Sequence, residues 1–119
     1  MLNFLYSWYI TITFMLEYYE NLLKNFKNVP GIVIVYGSVA REQSRPDSDI
    51  DVAVFSYDKQ AKIMADKIAD NILFKTGKVV SIFWYNINDF KSRINEPFFQ
   101  DVLKGEVLNG RKLLKRISS

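Results

Sequence analysis

The sequence predicts a single α/β domain, and three observations carry that prediction. Ile32-Val33-Ile34-Val35-Tyr36 is a β-branched run of strand length, bounded by Val29-Pro30-Gly31 before it and Gly37-Ser38 after it. Asp49 to Phe55 alternates, with Ile50, Val52 and Val54 on one side and Asp49, Asp51, Ala53 and Phe55 on the other. Between this segment and a third apolar run, Val79 to Tyr85, lies a stretch with helical rather than strand periodicity.

Residues 1–16 carry no charged side chain, but the run is short and broken by Asn3, Ser7, Thr11 and Thr13. A membrane-spanning helix needs about 20 apolar residues, and a secretory signal needs a basic start and a small-residue cleavage site. We read the segment as buried, covered by a partner, or an upstream extension of a chain starting at Met15; membrane association is the alternative. From Leu16 the spacing of Leu16, Tyr19, Leu22, Leu23 and Phe26 predicts an amphipathic helix, with Glu20 and Lys24 as a favourable i, i+4 pair. Val29-Pro30-Gly31 ends it, because Pro disfavours the helical conformation in its predecessor. The first strand follows over Ile32–Tyr36 and the second over Asp49–Phe55, with Pro46-Asp47 as turn chemistry between them.

Asp58 to Phe74 reads as a helix burying Ala61, Met64, Ala65, Ile68, Ala69 and Ile72. The third strand, Val79 to Tyr85, sits between Gly77 and Asn86-Ile87-Asn88-Asp89. Short helices follow near 89–94 and 97–104, the second with Pro97 in its first turn and Gly105 past its end. Arg111 to Arg116 reads as a charged amphipathic helix with Leu113, Leu114 and Ile117 turned inward; contact with RNA or an acidic protein is the other reading. No repeat or linker divides the chain. The expected organisation is an N-terminal apolar segment and helix over 1–28 and the folded unit over 29–119.

Composition narrows the chemistry. The chain has no Cys and no His. That excludes a disulfide framework, a thiol nucleophile, a thiolate metal site and any mechanism needing an imidazole. Carboxylates, hydroxyls, Lys/Arg, backbone amides and a hard metal remain, an inventory compatible with the cytoplasm. A net charge of +3 permits an anionic partner without calling for nucleic acid. The aromatic residues follow the predicted strands and helices and are read mostly as core.

The informative stretch is YGSVAREQSRPDSDIDVAV, Tyr36 to Val54. Asp49 and Asp51 lie two apart on a strand, so both carboxylates leave the same face, about 6–7 Å apart at the backbone. Two like charges on a buried strand need compensation, because desolvating each ion costs about several kcal/mol. A divalent cation supplies it, and magnesium suits one or two carboxylates plus substrate phosphates. Gly37 permits a tight turn after the first strand, and Ser38 offers a hydroxyl and an amide at a phosphate-binding position. Ordinary turn chemistry running into a half-exposed edge strand is the competing account.

Gly-Ser, ten residues, then Asp-x-Asp resembles the signature of the DNA polymerase beta-like nucleotidyltransferases. Among these the chain looks most like the minimal nucleotidyltransferases that pair with HEPN proteins in toxin–antitoxin modules. The resemblance runs from Val33 to about Asn109. It implies a small mixed β-sheet, α+β in character, with helices packed on one face. It also implies transfer of a nucleoside monophosphate, AMP from ATP, to a protein hydroxyl with release of pyrophosphate. By that resemblance Asp49 and Asp51 are catalytic and hold Mg²⁺, one or two ions, while Gly37, Ser38, Arg41 and Ser48 bind nucleotide phosphates. The implied partner is a HEPN toxin, in a homo- or hetero-oligomer.

The chain departs from the pattern at two places. Glu42 stands where the family has Gly. Ser81 stands where active members carry a third carboxylate, if Val80, Ile82 and Trp84 face the core and Ser81 and Phe83 face the site. Arg41 and Arg45 are either triphosphate contacts or solvated loop charges, and Lys78 reads as solvated. Two rivals therefore stand beside the transferase: a nucleotide- or partner-binding module with weak or no turnover, and a small-molecule nucleotidyltransferase of the aminoglycoside type.

Overall fold

A computed structural model describes residues 21–37 and 49–118. The N-terminal apolar segment, the Leu16 and Tyr19 half of the first helix, and Ser38, Arg41, Glu42, Arg45, Asp47 and Ser48 lie outside the described residues. In chain order, a 3-10 turn (Lys24–Asn28) leads into β1 (Ile32–Tyr36), then β2 (Ile50–Ser56), α1 (Gln60–Thr76) and β3 (Val80–Asn86). After these come α2 (Ile87–Ser92), α3 (Pro97–Val102), β4 (Glu106–Asn109) and α4 (Arg111–Ser118). The strands form one sheet in the order β3-β2-β1-β4. β1 is antiparallel to both β2 and β4, whereas β2 and β3 are parallel. A parallel pair needs a long crossover, and α1 supplies it.

The alternation expected of β2 holds. Val52 and Val54 join Val33, Val35, Phe26 and the inward face of α1 in one core layer. Ala53 and Phe55 join Ile32, Ile34, Phe90, Phe99 and Val102 in the other. Ala61, Ala65 and Ala69 make the buried stripe of α1 small, which lets the helix lie close on the sheet. Met64, expected on that stripe, is instead exposed. The Asp58 carboxylate accepts the Gln60 backbone N–H at 2.9 Å before the first turn. At the other end, Gly77 adopts φ 74° and donates its N–H to the Leu73 carbonyl at 2.8 Å.

The small mixed sheet is as expected, but helices cover both of its faces, not one. The reason lies in β1 and β2, whose side chains are apolar on both sides. Ile32, Ile34 and Phe55 are as fully buried as Val33, Val52 and Val54. Leaving one such face in water would forfeit about 1.5–3 kcal/mol for each large side chain. α2, α3 and the inward residues of α4 cover the second face, centred on Phe55 and Phe90 with ring centroids 4.1 Å apart and planes 13° apart.

β4 has no counterpart in the sequence reading. It sends Val107 into the second layer and Leu108 into the first. A shift in register against β1 between Val33 and Ile34 accompanies this, and the Asn109 side chain donates to the Val29 carbonyl at 2.6 Å. Gly110 ends the strand at φ +82°, and a Cβ there would lie 2.3 Å from the Gly31 carbonyl oxygen. Only glycine fits that crossing. No helix among the described residues is long and apolar enough to cross a membrane.

Candidate active site

The carboxylates sit where β1 ends and β2 begins. Tyr36 is in register with Asp51, and Asp51 with Ser81, so the sheet places β1, β2 and β3 residues side by side at one end. Asp49 precedes the first residue of β2 and is exposed, while Asp51 lies inside the strand and is half-buried. Ala53 and Phe55 continue the parity of Asp51 into the second core layer. The two carboxylates therefore head the face that α2 and α3 cover lower down.

Gly37 closes against Asp51. Its φ is +79°, and a Cβ built there would meet Asp51 Oδ2 at 2.9 Å. Two independent constraints thus demand glycine: the left-handed backbone, and an acidic side chain lying directly on the turn. Gly37→Ala is expected to cost about 1–3 kcal/mol, read as a lower midpoint in urea unfolding. Combining it with Asp51→Ala should recover the part owed to contact and leave the part owed to φ. Strictly additive costs would show that the new methyl does not touch Asp51.

Burial, and then the charge of Asp49, push the Asp51 carboxyl above its ordinary range. A cation shared by the two groups would relieve both costs, so the donor set fits a hard divalent metal. Next to it, burial first, then the charge of Asp51, the Tyr85 hydroxyl and the charge of Asp101, hold the Tyr36 phenol well above its usual range. Tyr36 is thus harder to ionise than a free phenol.

Ser81 occupies the β3 position beside Asp51, and the strand residues Val80–Asn86 include no carboxylate. Val80, Ile82 and Trp84 pack toward α1, as the sequence parity requires. Among the described residues no three acidic groups come together as a metal cluster. Two open grooves of about 520 Å³ each lie elsewhere, one between β4 and α4 and one between α1 and the 3-10 turn. Of the expected site residues, the structure brings together Gly37, Asp49, Asp51 and Ser81. Ser38, Arg41 and Ser48 are outside the described residues. Phe83 stands on the site's side of β3, as the parity it shares with Ser81 requires; what sequence reasoning missed is its company, Tyr36 and Phe98, the three rings meeting beside Asp51 with centroids about 6 Å apart.

A family model described as "Polymerase beta, Nucleotidyltransferase" matches residues 17–112. A toxin–antitoxin crystal structure with AMP-PNP is similar at 18% identity and a TM-score of 0.55, covering 82% of this chain and 75% of that one. A second, the toxin–antitoxin MntA-HpeT in a double Asp-to-Glu mutant, is similar at 16% identity and a TM-score of 0.53, covering 85% and 78%. No curated protein is significantly similar in sequence. At these identities the structural likeness is one of fold.

Proposed function

We propose that this chain, which belongs to the polymerase beta nucleotidyltransferase family, transfers AMP from ATP to a hydroxyl of a protein partner and thereby acts as an antitoxin. The partner is a HEPN-type toxin and the acceptor a tyrosine, with the reaction in the cytoplasm. The observation carrying this reading is the Asp49/Asp51 pair on one strand face with Asp51 against the Gly37 turn. The fold shared with toxin–antitoxin structures, one holding AMP-PNP, supports it.

In the reaction, the acceptor oxygen forms a bond to the α-phosphorus as the bond to the bridging oxygen of pyrophosphate breaks, and the hydroxyl proton leaves to solvent. Asp49 and Asp51 would hold Mg²⁺, which when bound supplies charge stabilisation to the transferring phosphoryl group. The Gly37 turn, with Ser38, Arg41 and Ser48, positions the phosphates.

One observation favours a second reading. Ser81, in register with Asp51, is neutral where a third carboxylate would hold a second metal or take the acceptor proton. Contact alone would then neutralise the partner. Mixing the chain with the product of the neighbouring gene, labelled ATP and Mg²⁺ should place label on the partner, and Asp49→Ala with Asp51→Ala should abolish both label and partner control. Control that survives in the double variant would establish the contact reading instead.

A further inference from the structure

Below the carboxylates on the same face, Phe83 and Phe98 interrupt an otherwise buried aromatic layer. Phe55, Phe90 and Phe99 are fully buried, yet Phe83 is 40% exposed and Phe98 37%. Neither ring is stranded at random. Phe98 stands edge-on to Tyr36 at 5.9 Å with an interplanar angle of 88°, and lies 6.2 Å from Phe83 and 5.8 Å from Tyr85. Tyr36 in turn is 6.2 Å from Phe83. The two half-open rings are therefore braced from beneath by two tyrosines.

Their place along the sheet is defined by register. Phe83 pairs with Ala53, one pleat beyond the Asp51–Ser81 pair, a separation of about 6–7 Å. Ala53 is small, so no side chain of β2 stands between the carboxylates and the rings. β3 carries no charged residue that would turn the ledge toward water. The result is an aromatic corner starting one pleat from the candidate metal ligands, with the Phe83 and Phe98 planes 62° apart.

We propose that the Phe83 ring, with Phe98 standing at 62° to it as a side wall, forms the stacking floor for the nucleobase of the triphosphate. This rests on the proposed function: with phosphates at the Gly37 turn and the α-phosphate at Asp49 and Asp51, the base lies one sugar further on, where the ledge begins. A nucleobase has the matching chemistry, an apolar π-face with polar edges left free for solvent, and aromatic rings bind such faces with little regard to which base they belong to. The rings select a nucleoside over bare phosphate, and the carboxylate end leaves that choice to them.

The test compares two ligands on the full chain, Mg-ATP and Mg-tripolyphosphate, titrated by calorimetry into wild type and into Phe83→Leu with Phe98→Leu. Leucine keeps apolar packing and removes the π-face. The double variant should bind ATP about tenfold or more weakly while tripolyphosphate binding is unchanged. Phe98→Leu alone, at an exposed first-turn position, should move ATP in the same direction by less. Unchanged ATP affinity in the double variant overturns the stacking floor while leaving the transferase reading intact. So does an equal loss for both ligands, which would mean a deformed site, or a loss confined to the KM of the protein acceptor, which would assign the ledge to the partner. If wild type binds neither ligand, the proposed function itself fails, and the floor with it.

Discussion

Asp51→Asn will reduce nucleotide transfer by at least about a thousandfold and, in the same variant, raise the melting temperature of the metal-free protein. The first effect follows from the role proposed for Asp51 as one of two carboxylates that would hold the cation, whose contribution to phosphoryl transfer is about several kcal/mol. The second follows from the environment of Asp51, whose carboxyl is pushed up by burial and then by Asp49. A carboxyl raised on folding contributes stability below its unfolded pKa, and that contribution is lost as pH rises through the folded pKa. At neutral pH the charged group is therefore a burden on the metal-free fold, and asparagine removes it. Thermal melts in chelator should show the variant ahead at pH 7 and the difference closing as pH falls through the carboxylate range. Adding Mg²⁺ should raise the wild-type melting temperature and leave that of the variant unmoved. Transfer retained by the variant would remove Asp51 from the metal site, and a variant less stable than wild type at pH 7 would contradict the burial argument.

Phe55→Ala is expected to cost about 3–5 kcal/mol, a large share of the roughly 5–15 kcal/mol that holds a typical domain together. The ring has no exposure, stacks on Phe90 at 4.1 Å, and lies near Tyr85 and Phe99 at 6.1 and 6.0 Å. Alanine leaves a cavity that two short helices, α2 and α3, can fill only by shifting. Urea unfolding measures the loss as a fall in midpoint, with Phe55→Leu falling by less. Because α3 carries Phe98, the same substitution should also weaken Mg-ATP binding under folded conditions. A cost under about 1 kcal/mol would mean that the second layer collapses freely onto the gap.

The two cases also mark what could be read before the structure. β1 was legible because five consecutive β-branched or aromatic residues between turn signals have few other uses. The parity of β2 and β3 was legible because strand side chains alternate strictly, which alone sets Asp49 and Asp51 together and turns Ser81 and Phe83 to their side. Alternation says nothing of neighbours across strands, however, so the contact of Asp51 with Gly37 needed the fold. β4 was not legible: Glu106–Asn109 is four residues long and has a single β-branched member. The cover over the second face was missed for a related reason. An unbroken apolar strand announces burial without showing that both faces find helices, and α2 and α3 are too short for periodicity to reveal what they pack against. Phe98 was hidden in that same stretch, beside a fully buried Phe99.

The pairing of β1 with β4 carries a consequence for synthesis. Val33 meets Asn109 and Val35 meets Glu106, so an early strand awaits a partner made near the other end of the sequence. During translation β1 can pair with β2 as soon as Ser56 has emerged, yet its other edge stays bare until Asn109 follows. That edge is uncharged and β-branched, the kind that recruits foreign strands. Closing so distant a contact is entropically slow. The ribosome-bound chain therefore passes through an interval in which its central strand is half-paired, and that interval, rather than the finished fold, is where a chaperone would matter most.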